Sequence, residues 1–284
     1  MSSYLILYAY YAGKQEDIEH RQLIQTNLGF FMKNAQLNND NVELVIIEHV
    51  DNMEEASTLG DLSSYPVKHP IRVLRKLNQG YDFGAWSYAI CDELKTEGWE
   101  KYQYFIFLNT SVRGPFLPRW MHPKSPKWYE MFCSHLNAKI RLVGPTVNYY
   151  HHPHIQSMIW ATDLEGIKLF VNKGILKSGL DVKDIWPTLV FEHEIGLSKA
   201  LMEEKQDFYG FQLSEWTFGS KHHEVHKGLH PLPHTDICHP HLYFGSTLNP
   251  FETMFIKAKW INTDEVKQYT SQMTSKSLSR ENPH

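Results

Sequence analysis

Apolar residues in this chain follow two rhythms. Short continuous runs occur at Tyr4–Tyr10, Val42–Ile47, Ile71–Leu74 and Tyr104–Leu108. Runs of that length rich in Val, Ile, Tyr and Phe are expected of strands, and the fully apolar Tyr104–Leu108 of one covered on both faces. Between them apolar residues recur at helical spacing, first at Ile24, Leu28, Phe31 and Ala35, then at Trp86, Ala89, Ile90 and Leu94. Strands alternating with helices predict an α/β fold, a Rossmann-like, mostly parallel, doubly wound sheet. Further along, Ile140–Val143 and Ile155–Ala161 read as strands and Leu189–Met202 as a helix. Neither an internal repeat nor a domain linker is visible, so a single domain over residues 1–266 is expected. Its halves are 1–115 and 116–266. A polar tail, 267–284, is expected to fray.

In a sheet of this kind ligands gather beyond the carboxyl ends of the strands. That rule selects Tyr11–Lys14, Lys76–Asp82 and Asn109–Arg113, each rich in Gly or small polar residues. The chain has 284 residues, 42% hydrophobic and 21% charged, as a globular protein with a substantial core should. A formal net charge of −4 with no block of Lys or Arg argues against nucleic acid as a partner. Cys91, Cys133 and Cys238 form no CxxC pair, which fits a reducing compartment. The opening YLILYAYY is too short to span a bilayer, and no later run reaches the roughly 18 apolar residues a membrane helix needs. A cytoplasmic location without a membrane span is the expectation.

Four segments could carry chemistry. In Asn78–Trp86, Gly80 permits a tight turn and Asp82 falls near a helix start, where it either caps the helix or accepts hydrogen bonds from a ribose or base. In Phe107–Phe116, Asn109 and Ser111 follow the most buried strand. They either close a local turn or face a ligand, and Arg113 is solvated or neutralises a diphosphate through its planar fork. In His151–Asp163, His154 and Gln156 lie two apart and would share a strand face, with Asp163 at the other end. In Phe191–Leu201, Glu192 and Glu194 open a helix, where the dipole favours acids and where a carboxylate could take a proton from an attacking hydroxyl.

At these segments the sequence resembles the glycosyltransferases related to rhamnan-synthesis protein F, including relatives from algae and large algal viruses. The matching stretches are NQGYDFGAW, FIFLNTSVRGPFLP, VGPTVNYYHHPHIQSMIWATD, FEHEIGLSKAL and HLYFGSTLNPFETMFIKAKW. They lie in patches between about residues 70 and 260. The resemblance implies a GT-A-like fold with residues 1–115 as the nucleotide-binding half and 116–266 as the acceptor side. It also implies a UDP- or dTDP-linked sugar donor and an oligosaccharide acceptor, the sugar being rhamnose, xylose, glucose or fucose. Carried to this chain, the catalytic base is Glu194, with Glu192 one helical step away and Asp163 in reserve. Donor contacts fall to Asn78, Gly80, Asp82, Asn109, Ser111 and Arg113, and acceptor contacts to His154 and Gln156.

One departure stands out. Where such enzymes carry a metal-binding Asp-x-Asp, this chain has the neutral Asn109 and Ser111, and hard divalent cations prefer carboxylates. A manganese or magnesium ion is therefore an optional cofactor in this reading. Two other classes compete. A carbohydrate-binding protein with a degenerate transferase fold would also tolerate the neutral residues. A metal-dependent hydrolase could use the histidine-rich loop 219–241, which holds seven histidines including His222 and His226 at helical spacing.

Overall fold

The computed structural model describes residues 2–95, 98–117, 125–150, 152–180, 186–211, 216–217, 236–243, 247–258, 264 and 267–272. Most of the histidine-rich loop, including His222 and His226, lies outside the described residues.

The first half alternates as its sequence rhythm requires. Strand β1 (Tyr4–Tyr11) leads to helix α1 (Ile18–Asn34), then to β2 (Val42–Val50) and β3 (Arg72–Leu77). Helix α2 (Tyr81–Ser87) continues as a π-helical turn over Tyr88–Glu93, and β4 (Tyr104–Asn109) and the short β5 (Val112–Arg113) follow. The second half carries α3 (Trp128–Cys133), β6 (Ile140–Gly144), β7 (Val147–Tyr150), β8 (His152–Ile155) and β9 (Ile159–Asp163). Next come α4 (Leu164–Asn172), α5 (Trp186–Thr188), a π-helical Leu189–Glu194, α6 (Ile195–Glu203), β10 (Asp207–Gly210) and β11 (Trp216–Thr217). Helix α7 (Pro250–Thr253) and β12 (Ile256–Lys257) follow.

Among the described residues the main sheet has eight strands in the order β11-β10-β6-β9-β4-β1-β2-β3. Strands β1, β2, β3 and β4 run parallel to one another, as β6 does to β10. β9 runs against both β4 and β6, and β11 against β10. This is an α/β, Rossmann-like, mostly parallel sheet in one domain.

The period of two along β1 divides the core. Tyr4, Ile6, Tyr8 and Tyr10 face one side with Ile106 and Leu108 of β4, covered by Leu28 and Phe31 of α1 and Trp128 of α3. Leu5, Leu7 and Ala9 face the other with Phe105 and Phe107, covered by α2, α4 and α6. On that second side Phe107 stacks on Trp160 with ring centres 4.0 Å apart, and Trp86 meets both edge-on at 5.6 and 5.7 Å. Both faces of the central strands are thus closed, which explains why their sequence is apolar without alternation.

Two expectations change. The run Ile155–Ala161 is not one strand: β8 ends at Ile155, Ser157 and Met158 turn, and β9 begins at Ile159. β8 pairs with β7 in a separate two-stranded sheet. The start of the tail is also tied down, because Tyr269 packs on Phe116 and Phe251.

Arg113 explains that docking. Its Nε donates to Asn27 Oδ1 of α1 at 2.9 Å, and Nη1 donates to Thr270 Oγ1 at 3.1 Å. Asn27 in turn donates to the Thr110 carbonyl at 2.9 Å. Arg113→Leu should therefore lower the free energy of unfolding by about 1–3 kcal/mol, the cost of leaving buried polar groups unsatisfied. Urea denaturation measures it, and a variant as stable as the parent refutes this structural role.

Candidate functional site

β1 to β4 end at one edge of the sheet, where their neighbours' turns enclose a cavity of about 370 Å³. The β3–α2 turn contributes Asn78, Tyr81 and Asp82. Gly80 has φ 73°, and a Cβ there would come within 2.6 Å of the Leu180 carbonyl oxygen, so only glycine fits. Tyr81 follows in the same left-handed region at φ 49°; the residue is 53% exposed and lines the cavity. An aromatic residue in that conformation is costly, and such strain concentrates where ligands bind.

The turn after β4 supplies Asn109, Thr110 and Ser111. Asn109 Oδ1 accepts from the Ser111 backbone N–H at 3.0 Å and from its hydroxyl at 2.6 Å, while Nδ2 donates to Asp82 Oδ2 at 2.8 Å. One amide thereby joins two ligand-facing turns. The other Asp82 oxygen accepts from the Phe83 N–H at 3.0 Å. Burial of its carboxyl, partly offset by the Asn109 bond and reinforced by the negative charge of Glu194, pushes Asp82 up to about 6.

Glu194 lines the same cavity. Ser157 Oγ donates to its Oε2 at 2.9 Å, which fixes the carboxylate's orientation. His154 stands behind it, with Nε2 3.9 Å from Oε1. His154 Nδ1 donates to the His152 carbonyl at 2.9 Å, and burial holds the ring's pKa below its usual value.

His49, at the end of β2, is buried and donates Nδ1 to Asn78 Oδ1 at 3.1 Å. Burial, with the charge of Lys76, pushes it down to about 3, so its ring is neutral. Its Nε2 has no hydrogen-bond partner among the described residues. The ring borders the cavity, but Nε2 itself is buried.

Of the residues selected from sequence, Asn78, Asp82, Asn109, Ser111, Gln156 and Glu194 line this cavity. Gly80 shapes its turn. The others lie elsewhere. Asp163 sits at the opposite end of β9, beside Tyr104 at the start of β4, because β9 runs antiparallel. There it caps α4 through the Gly166 N–H and pairs with Arg141. Glu192 lines a second cavity on the far side of its helical segment, with Phe191 and Lys199. Arg113 is buried in the fold, its guanidinium turned to Asn27 and Thr270. His154 lies behind Glu194 because β8 ends at Ile155, so it shares no strand face with Gln156. Nor do the two acids open a helix, since helical structure begins at Trp186 and Glu194 falls at the π-to-α junction.

Among the cavity residues that escaped the sequence reading are His49, Ser157 and Lys257. Ser157 and Lys257 stand inside stretches that had already been singled out, but neither carries a pattern of its own. Lys257 arrives from far along the chain because β12 pairs with β5, setting it opposite Val112. Its Nζ lies 3.3 Å from Asp236 Oδ2.

The turn that would carry a divalent cation in a GT-A-like site does not fit one. Asn109 and Ser111 are neutral, and the Asn109 oxygen already accepts from Ser111. Lys257 brings a positive charge to the same wall. Among the described residues no group of three His, Cys, Asp or Glu side chains could hold a metal, and no helix is long and apolar enough to cross a membrane.

No family model matches the sequence, and no curated protein matches it. Among solved structures, the chain is similar to the crystal structure of a glycosyltransferase involved in the glycosylation of the major capsid of PBCV-1. The similarity has 12% sequence identity and a TM-score of 0.34, over 67% of this chain and 71% of that one. Likeness at that level leaves function to be argued from the cavity, and none of these comparisons shows the rhamnan-synthesis group that the five sequence stretches resemble.

Asp82 makes the cavity costly. Its carboxyl titrates at 3.8 in an unperturbed chain and at about 6 in the fold, so the native state holds the proton more tightly. Stability therefore falls as pH rises from about 4 to about 6, and the full penalty stands above that range. Asp82→Asn carries no charge at any of these pH values. It should be more stable than the parent at pH 7.5, by up to about 3 kcal/mol, with the difference vanishing below pH 4. Denaturation curves for both proteins at the two pH values decide this, and a pH-independent difference contradicts it.

Proposed function

We propose that this protein is a glycosyltransferase that moves a sugar from a nucleotide-sugar to a hydroxyl of an oligosaccharide acceptor. The observation that carries the reading is Glu194. It is a carboxylate oriented by Ser157 in a cavity at the carboxyl ends of parallel strands, opposite the two turns that Asn109 joins. Such an edge is where α/β sheets bind nucleotides. The sequence stretches that resemble the rhamnan-synthesis group form three walls of the cavity, the β3–α2 turn, the β4 turn and the segment ending at Glu194. They support a UDP- or dTDP-linked donor whose sugar is rhamnose, xylose, glucose or fucose.

In the reaction, the bond from the sugar's anomeric carbon to the diphosphate oxygen breaks, and its electron pair leaves with the diphosphate. The acceptor oxygen bonds to that carbon and gives its proton to Glu194. An alcohol is a weak nucleophile at neutral pH, so a positioned base contributes about 10²–10⁴-fold. Asp82 and Asn78 are placed to hold the donor, Asp82 by accepting hydroxyl hydrogens. Glu192 and Asp163 take no part in this scheme.

A donor screen, with UDP- and dTDP-sugars offered singly, should show turnover or slow hydrolysis of one of them. Glu194→Gln should then lower turnover by about 10²–10⁴-fold and leave donor affinity nearly unchanged, since the loss belongs to the transition state. Normal turnover in that variant, or a product of retained anomeric configuration, removes Glu194 as base. Sugar binding without any response to nucleotides would make the protein a carbohydrate-binding one.

A further inference from the structure

Lys257 occupies a position that the neutral β4 turn leaves electrically open. The pairing of β12 with β5 sets it opposite Val112, and the Ala258 N–H donates to the Ser111 carbonyl at 2.8 Å. Lys257 is thereby anchored beside the β4 turn, and among the described residues it is the sole Lys or Arg lining the cavity. Its side chain is 23% exposed, buried enough for its charge to act over a short distance and open enough to meet a ligand.

Nearby groups prepare it as a charge. Asp236 holds the ammonium at 3.3 Å, and Asp236 is itself fixed by Gln156 Nε2 at 2.8 Å and by the Cys238 N–H at 2.9 Å. Gln156 is anchored in turn by Thr146 Oγ1 at 2.8 Å. Burial alone lowers the lysine's pKa, but Asp236, Cys238 and Glu194 more than offset it and raise it, favouring the charged form.

The geometry points to Lys257 as the residue that neutralises the donor's diphosphate, in the role that a divalent cation bound to an acidic turn would otherwise have. This rests on the nucleotide-sugar reading above. As the anomeric bond breaks, negative charge grows on the departing diphosphate oxygen, and the fixed ammonium stabilises it without giving up its proton. A positive charge placed in advance where charge develops is an effective form of electrostatic catalysis. Arg113, the cation that sequence alone nominated, is committed to Asn27 and Thr270 and leaves this role to Lys257.

Calorimetry on chelator-treated protein tests the assignment, with UDP, dTDP, uridine and thymidine as probes. One diphosphate should bind more tightly than its nucleoside. In Lys257→Met that advantage should shrink about 10- to 100-fold, the scale of one lost charge-assisted hydrogen bond. Nucleoside affinity should hold. Lys257→Arg should keep most of the advantage, which separates charge from packing, and Asp236→Asn should increase it by releasing the ammonium from its partner. A diphosphate advantage that disappears with chelator and returns with manganese overturns the proposal, as does one that survives in Lys257→Met. If neither diphosphate nor nucleoside binds the parent protein, the transferase reading itself fails. Equal binding to parent and Lys257→Met removes only the role of Lys257.

Discussion

The reversed direction of β9 decides which parts of the chain can meet. It lies between β4 and β6, both of which run the other way, so it brings its beginning, and not its end, to the edge where β1 to β4 finish. The Met158 carbonyl accepts from the Asn109 N–H there at 3.1 Å, stitching the two strands at the cavity. Ser157, one residue earlier, then reaches Glu194. Had β9 been parallel, Asp163 would have stood at this edge and Ser157 at the opposite one. The orientation of Glu194 is in that sense a consequence of sheet topology, which is fixed by burial of Phe107 against Trp160 on one face and Ile106 with Ile159 on the other.

Sequence made the parallel half of the fold legible because its strands are covered on both faces. β1, β2 and β4 are apolar runs whose limits were expected to within a few residues, and α1 and α2 show their buried stripes. The second half was harder for a physical reason. β8 and β9 join through the two-residue turn Ser157–Met158, so the apolar pattern crosses the break without a Gly or Pro to mark it. The π-helical Leu189–Glu194 shifts the helical phase in the same way, and the two acids change from helix openers into residues on different cavities. Asp82 and Asn109 could be selected because they follow strands. That they bond to each other could not, since the strands that carry them are separated in the sheet by β2 and β1. Lys257 was hidden for a similar reason: a two-residue strand paired across more than a hundred residues has no periodic signal.

The polar groups of the cavity are arranged against stability. Asp82 is held near Glu194 in surroundings that favour its neutral form, His49 keeps a buried nitrogen without a partner among the described residues, and Tyr81 adopts a backbone conformation that suits glycine. Each is a local cost that packing elsewhere must offset, and an enclosed core of stacked and edge-on aromatics supplies that packing. Costs of this kind fall together at one edge of the sheet, and this clustering marks the edge as functional more firmly than any single residue does.

A lysine and a metal ion differ in what they ask of the surrounding protein. A divalent cation needs several carboxylates, and those acids repel the donor's diphosphate whenever the cation is missing. A lysine needs one counter-ion, and here that is Asp236, itself bound to Gln156 and Cys238. With Asn109 and Ser111 uncharged, nothing on that turn opposes an incoming anion. The neutral turn is therefore no defect in an otherwise acidic motif. It is the electrostatic complement of a cation built into the chain, and the short β5–β12 ladder is what holds the two in register.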